Sequence, residues 1–249
     1  NTDGSGLEAY GGAQVQVLGT ALWGNQVIGL RIHRSLENES AEATITGSLI
    51  AHTQTVIGGG GGGIGLQLLG PGQLTVRGTT IMDNREVGLF VPGPDGGATV
   101  SVSDTLVTRT QTAADGHWGE GVTVQYGTEM DLTRTAITDN HGAGLQVGQV
   151  GGAVVVSDSI IARTLPSIQG ATGVTVFEGA DLTLQGTVLT DNTSYGLALH
   201  GAGSKATTRD CLFTNHAGQD LPVQGPGLFV EAGAQAEVVR SAFVNNDFI

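Results

Sequence analysis

The sequence predicts an all-β chain wound as a right-handed parallel β-helix, a solenoid of about nine coils with long loops on alternate coils. Three observations predict it. A short phrase of glycine, apolar, any, apolar recurs along the chain, opening at Gly6, Gly29, Gly65, Gly88, Gly121, Gly144, Gly173, Gly196 and Gly227. Every other spacing in that series is 23 residues, so the repeating unit is two coils, one plain and one carrying an insertion. The composition fits: glycine contributes 42 of 249 residues and aromatics only 4%, which suits many tight turns around a core of small and branched aliphatics.

Each element of the coil follows from its column. One residue after the glycines stand Leu7, Leu30, Leu66, Leu89, Val122, Leu145, Val174, Leu197 and Leu228, and two further on Ala9, Ile32, Leu68, Val91, Val124, Val147, Val176, Leu199 and Val230. Such period-2 alternation marks a strand with one buried face. A second strand repeats the pattern at Val17, Ile45, Val76, Val102, Leu132, Val156, Leu184, Thr208 and Val238. A third starts at Thr20, Ser48, Thr79, Thr105, Thr135, Ser159, Thr187, Cys211 and Ser241. Glycines interrupt every candidate helical window. One coil cannot bury its apolar face alone, but stacked coils share a continuous core. The crossover preference makes the winding right-handed.

Polar columns close the third strand. Four residues after its start the chain reads Gly24, His52, Asp83, Arg109, Asp139, Arg163, Asp191, Asn215 and Asn245. Acid and base alternate from Asp83 to Asp191, which predicts a self-neutralising ladder, since stacked like charges would repel. The next column alternates Asn84, Thr110, Asn140, Thr164 and Asn192. Asn there is expected to take the left-handed bend of the corner and to bond its stacked neighbour. Asp104, Arg134, Asp158, Asp210 and Arg240 repeat the charge alternation before the strand. Cys211 occupies a Ser/Thr column and is expected to be a small buried residue.

This pattern resembles the right-handed parallel β-helix repeats of the pectate-lyase-like superfamily, over nearly the whole chain. The resemblance implies the fold and says little about function, because that fold carries lyases, hydrolases, epimerases, adhesins and phage tailspikes. Enzymes of the family cluster carboxylates on one strand face. The outward positions of the first strand are Glu8, Arg31, Gln67, Phe90, Thr123, Gln146, Thr175, Ala198 and Phe229, which is no carboxylate groove. Asn1-Thr2-Asp3 resembles a polygalacturonase motif, but that family's Asp-Asp, Gly-His-Gly and Arg-Ile-Lys are not found. One lysine, Lys205, stands against a Lys-based lyase site.

Four insertions follow one corner on alternate coils: residues 53–64, 110–120, 164–172 and 216–226. Each follows a third strand with a bulky second residue, Leu49, Leu106, Ile160 or Leu212, and the loops are expected to fold back over them. Only loop 110–120 is chemically rich. Asp115, His117, Trp118 and Glu120 are its candidate ligand-binding residues, with Trp118 stacking on a sugar ring and His117 or Glu120 bonding hydroxyls. Gly58 to Gly63 reads as a mobile tract.

The function expected is a non-catalytic scaffold or binding module that meets carbohydrate or a protein partner through these four loops. A polysaccharide lyase or glycoside hydrolase is the alternative. No cofactor or metal set is expected, and a net charge of −13 argues against nucleic acid. No apolar run suggests membrane insertion. The opening without Met and the uncapped Asp247-Phe248-Ile249 suggest one domain, residues 1–249, cut from a longer secreted or cell-surface bacterial protein. Its C-terminal coil would be open to end-to-end stacking.

Overall fold

In the computed structural model, residues 4–34, 40–55, 62–93, 97–149, 151–216 and 225–246 are described. Among them all regular structure is β-strand. Three parallel sheets of nine strands each run the length of the molecule. The first sheet takes the opening strand of every coil, from Leu7–Tyr10 to Leu228–Val230; the second runs from Gln14–Leu18 to Gln235–Val239; the third runs from Ala21–Trp23 to Ala242–Val244. Nine strands per sheet make the nine coils that the glycine phrase predicts.

The register is the one read from the columns. Leu7 pairs with Leu30, Leu30 with Leu66, Leu66 with Leu89, and so on to Leu228. These side chains and their second- and third-strand counterparts form one continuous core, with Leu30, Leu66, Ile45, Val102 and Leu189 wholly enclosed. Parallel sheets need both neighbours and a covered face, and stacking provides both at every interior coil.

The opening glycines are there for room. A Cβ on Gly29, Gly65, Gly88, Gly121, Gly144, Gly173 or Gly196 would sit 2.5–2.7 Å from the carbonyl oxygen of the glycine one coil on. Their backbone angles are ordinary, so close stacking of backbone on backbone is what excludes a side chain.

Two expectations about the corner after the third strand meet different outcomes. The ladder forms: the Arg109 guanidinium grips both oxygens of Asp83 at 2.7 Å, and Arg163 does the same to Asp139 at 2.7 and 2.8 Å. Arg134 to Asp104 and Arg240 to Asp210 form matching pairs at the corner before the strand. The left-handed bend, however, falls on the charged column and not on the asparagines. Asp83, Arg109, Asp139, Arg163 and Asp191 all have φ between 53° and 58°. Their amides donate to the carbonyl of the next coil, as Asp83 does to Thr108 at 3.2 Å, which holds the bend in place.

The asparagines point inward and are buried. Asn84 accepts the Thr53 amide at 3.1 Å and donates to the Ile50 carbonyl at 3.3 Å. Asn140 treats Thr110 and Val107 alike, Asn192 does so with Thr164 and Ile161, and Asn246 with His216 and Phe213. Thr53, Thr110, Thr164 and His216 are the first residues of the four long loops. Each asparagine therefore clamps the root of the loop on the preceding coil, which explains why Asn and Thr alternate.

Loops 110–120 and 164–172, described throughout, do not cover the bulky third-strand residues ahead of them. Leu106 remains 37% exposed beside the fully described loop 110–120. Leu49 lines an open depression of about 460 Å³ with Thr20, Thr80 and Met82, and Ile160 lines another of about 420 Å³ with Arg134, Asp158 and Val188. The loops depart from the far end of the strand, so their bonds run to the same corner of the preceding coil: Gln111 to Asn84 and Gly119 to Glu86. Residues 58–61 of the glycine tract, 56–57 beside it, 217–224 of the last loop, and both termini lie outside the described residues.

The last coil differs from the interior. Val230, Val238 and Phe243, whose counterparts are enclosed elsewhere, are 41–43% exposed.

Candidate functional site

The first sheet and the loops beside it hold several of the enclosed polar atoms that lack a partner among the described residues. Inward Val122 and Val124 turn Thr123 to the outside, where it is flanked by Phe90 on one side and Gln146 on the other. Thr123 is nevertheless fully buried. Its hydroxyl, the Gln146 Oε1 and the Glu120 Oε2 are all enclosed and have no hydrogen-bond partner among the described residues. Hydroxyls elsewhere share that condition: Thr53 and Thr110 at loop roots, and Thr208 inside a second-sheet strand.

Glu120 is the residue the sequence misplaces. The expectation has it reaching hydroxyls from an exposed loop, but it opens the strand Glu120–Gln125 and is only 3% exposed. It pairs with Val87 and continues the column of Ile28, Ile64 and Val87, a small apolar cluster that also touches Phe90. Desolvation pushes its carboxyl up to about 7; its own backbone amide opposes this and the nearby Glu86 charge adds to it. Glu86, which sequence reasoning misses, has its carboxyl raised by burial as well. The Gly62 amide donates to it at 3.1 Å and Asp115 repels it. Glu120 does carry a signal in the sequence: it lies two residues before Val122, in register with three aliphatics. Glu86 carries no such columnar signal.

Loop 110–120 presents its remaining candidates at the surface. Asp115 is exposed and accepts the His117 amide at 3.0 Å. Trp118 has φ of 63° and is 38% exposed, and its amide donates to Gln169 Oε1 at 3.0 Å. Ile168 donates its amide to Gly116 at 3.1 Å, so loops 110–120 and 164–172 brace each other. Asp115 acts on Glu86 and Glu86 on Glu120, so the three acids are electrostatically linked, whereas Trp118 stands on the loop's outer side. Further along the same sheet Phe229 stacks on Tyr195 with centroids 4.9 Å apart.

What the arrangement offers is hydrogen bonding and ring faces, with two carboxyls held toward their neutral form. No group of three or more His, Cys, Asp or Glu residues suited to a metal ion occurs among the described residues. Cys211 is buried, its thiol bonded to the Arg209 carbonyl at 3.2 Å, and burial raises its pKa, so it is no nucleophile.

Residues 97–248 match the family model described as right handed beta helix region. No curated protein sequence matches the chain. Among solved structures, pectate lyase Pel9A is similar with a TM-score of 0.47 and 13% identity, over 82% of this chain and 61% of that one. The A-module of the Azotobacter vinelandii mannuronan C-5 epimerase AlgE4 gives 0.48 and 10%, over 96% and 76%. These likenesses concern the winding of the chain alone. The present chain spans less than two thirds of the pectate lyase.

Proposed function

The chain belongs to the right-handed β-helix family, and from that premise we propose that it is a non-catalytic glycan-binding solenoid of a secreted or cell-surface protein. It meets polysaccharide on the outer face of its first sheet, beside loops 110–120 and 164–172. The observation that carries this reading is the pair of accessible aromatic rings on this edge, half-buried Phe90 on the sheet face and Trp118, 38% exposed, on loop 110–120. Sugar binding asks for apolar ring contact beside a few oriented donors and acceptors. Pull-down of the 249-residue chain on a polysaccharide panel tests it. Retention on a glycan, reduced about tenfold in Phe90→Ala with an unchanged melting profile, is the expected result. Retention on none of the panel would remove the reading.

One observation favours a second reading, a polysaccharide-cleaving enzyme: Glu86 lies close enough to Glu120 to raise its carboxyl, and hydrolysis uses two carboxyl groups. Burial of Glu120 weighs against it, because the general acid must reach the scissile oxygen. Reducing-end and unsaturated-product assays decide. Turnover abolished by Glu120→Gln would make the enzyme reading the better one.

A further inference from the structure

Apart from glycan binding, we infer that the outer face of the third sheet joins two copies of this chain as an antiparallel pair about a twofold axis. The first residue of every third strand is exposed or half-buried, while the second turns into the core in all but the end coils. In register, short Thr80 and Ala136 stand between bulky Leu49, Leu106 and Ile160. The alternation follows the two-coil repeat, so a stripe of apolar knobs and notches runs along the solenoid. Thr80 and Ala136 lie in the walls of the open depressions of about 460 and 420 Å³.

Two charged columns rim this stripe and alternate with the same period. Asp104 and Arg134 precede the strand; Asp83, Arg109, Asp139 and Arg163 follow it. Each pair is closed within the stack, yet the three arginine side chains are 47–56% exposed, so their charge reaches the face. Consider a second copy laid antiparallel, with the axis between the coils of Leu106 and Ala136. Leu106 then meets Ala136 of the other copy, and Ile160 meets Thr80. The same offset sets Asp104 against Arg134, Arg109 against Asp139 and Asp83 against Arg163. A shift of one coil either way sets bulky on bulky and like charge on like. A parallel pair in step stacks Leu106 on its own copy.

Size and charge thus select the same antiparallel offsets, and a surface that complements itself twice over names a second copy as its occupant. Eight coils overlap, at about 4.8 Å each, and the six residues from Asp104 to Arg109 reach about 20 Å across. That is roughly 800 Å² per copy, the area of a standard stable interface.

Sedimentation velocity of the full 249-residue chain between about 1 and 100 μM tests the pairing. A reversible rise from 25.3 kDa to twice that mass is expected. Leu106→Asp should raise the dissociation constant at least about a hundredfold. Thr99→Asp, on the exposed face of the second sheet in the same coil, should leave it unchanged. Leu106→Ala and Ala136→Leu should each weaken association about tenfold and restore it when combined, because the two positions face each other across the axis. This exchange still carries the test if Leu106→Asp fails to fold, as judged by its melting profile. A chain that stays monomeric throughout would overturn the inference. So would a dimer that survives Leu106→Asp in a folded variant, as stacking through the terminal coil would, or an exchange that restores nothing. Each of these outcomes leaves glycan binding untouched.

Discussion

The corner that follows the third strand and the outer face of the first sheet both carry acids, and they treat them in opposite ways. At the corner every paired Asp meets an arginine from the next coil, and Asp83 and Asp139 have their carboxyls held below the usual range by those guanidinium bonds. On the face Glu86 and Glu120 have no cation, and desolvation lifts them. The corner has settled its electrostatics within the stack. The face encloses carboxyl and neutral oxygens without partners among the described residues, and their desolvation is a cost that the fold carries there.

Stability measured against pH should separate the two regions. Glu120 has a folded pKa of about 7 against an ordinary 4.5, so it favours folding below about pH 4.5, and that advantage is lost as pH rises through 7. Glu120→Gln should therefore gain about 3 kcal/mol over wild type at pH 8.5 and nothing at pH 4, read by denaturant melts. Equal melts at both pH values would show that the carboxyl is solvated. Asn140→Ala comes next. It strands the Thr110 amide and the Val107 carbonyl at a loop root and should cost about 2 kcal/mol, with faster hydrogen exchange in loop 110–120. A change confined to the core strands would break the idea of a clamp.

The smallest effect belongs to the ladder. Asp83 has a depressed carboxyl, so its pairing favours folding above the ordinary carboxylate range and is lost as pH falls through the lowered value. Asp83→Asn should cost less than about 1 kcal/mol near neutrality, because Arg109 is half exposed, and nothing once the acid is protonated. A loss above about 2 kcal/mol would mean that the ladder does more than neutralise charge.

The coil count, the register of all three strands and the Asp/Arg pairing are legible in the sequence, because each is a column and stacking converts columns into contacts. The left-handed bend is not: the asparagine column suggests it one residue late. Asn tolerates that bend intrinsically, but here inter-coil backbone bonds impose it on Asp and Arg. An apolar side chain calls for a lid, hence the expectation that loops cover Leu106 and Ile160. Sequence does not reveal which way a loop leaves its strand. The loop neighbours His117 and Trp118 make Glu120 look like a loop residue, although its register with Val87 already places it in a strand. Whatever depends on one residue's surroundings, such as the Glu86 pair, leaves no periodic trace.

The asparagine clamps bear on how such a chain can change over generations. Each one fixes a loop at its first residue from the coil that follows it, so the segment beyond that residue is free to lengthen, shorten or mutate without disturbing the stack. The scaffold then works as a frame with four variable regions on one edge. Because Asp, Asn and glycine recur with each pair of coils, tandem duplication of such a pair would add another region in register. New specificities could be selected in those segments while the rest of the gene stays under purifying selection.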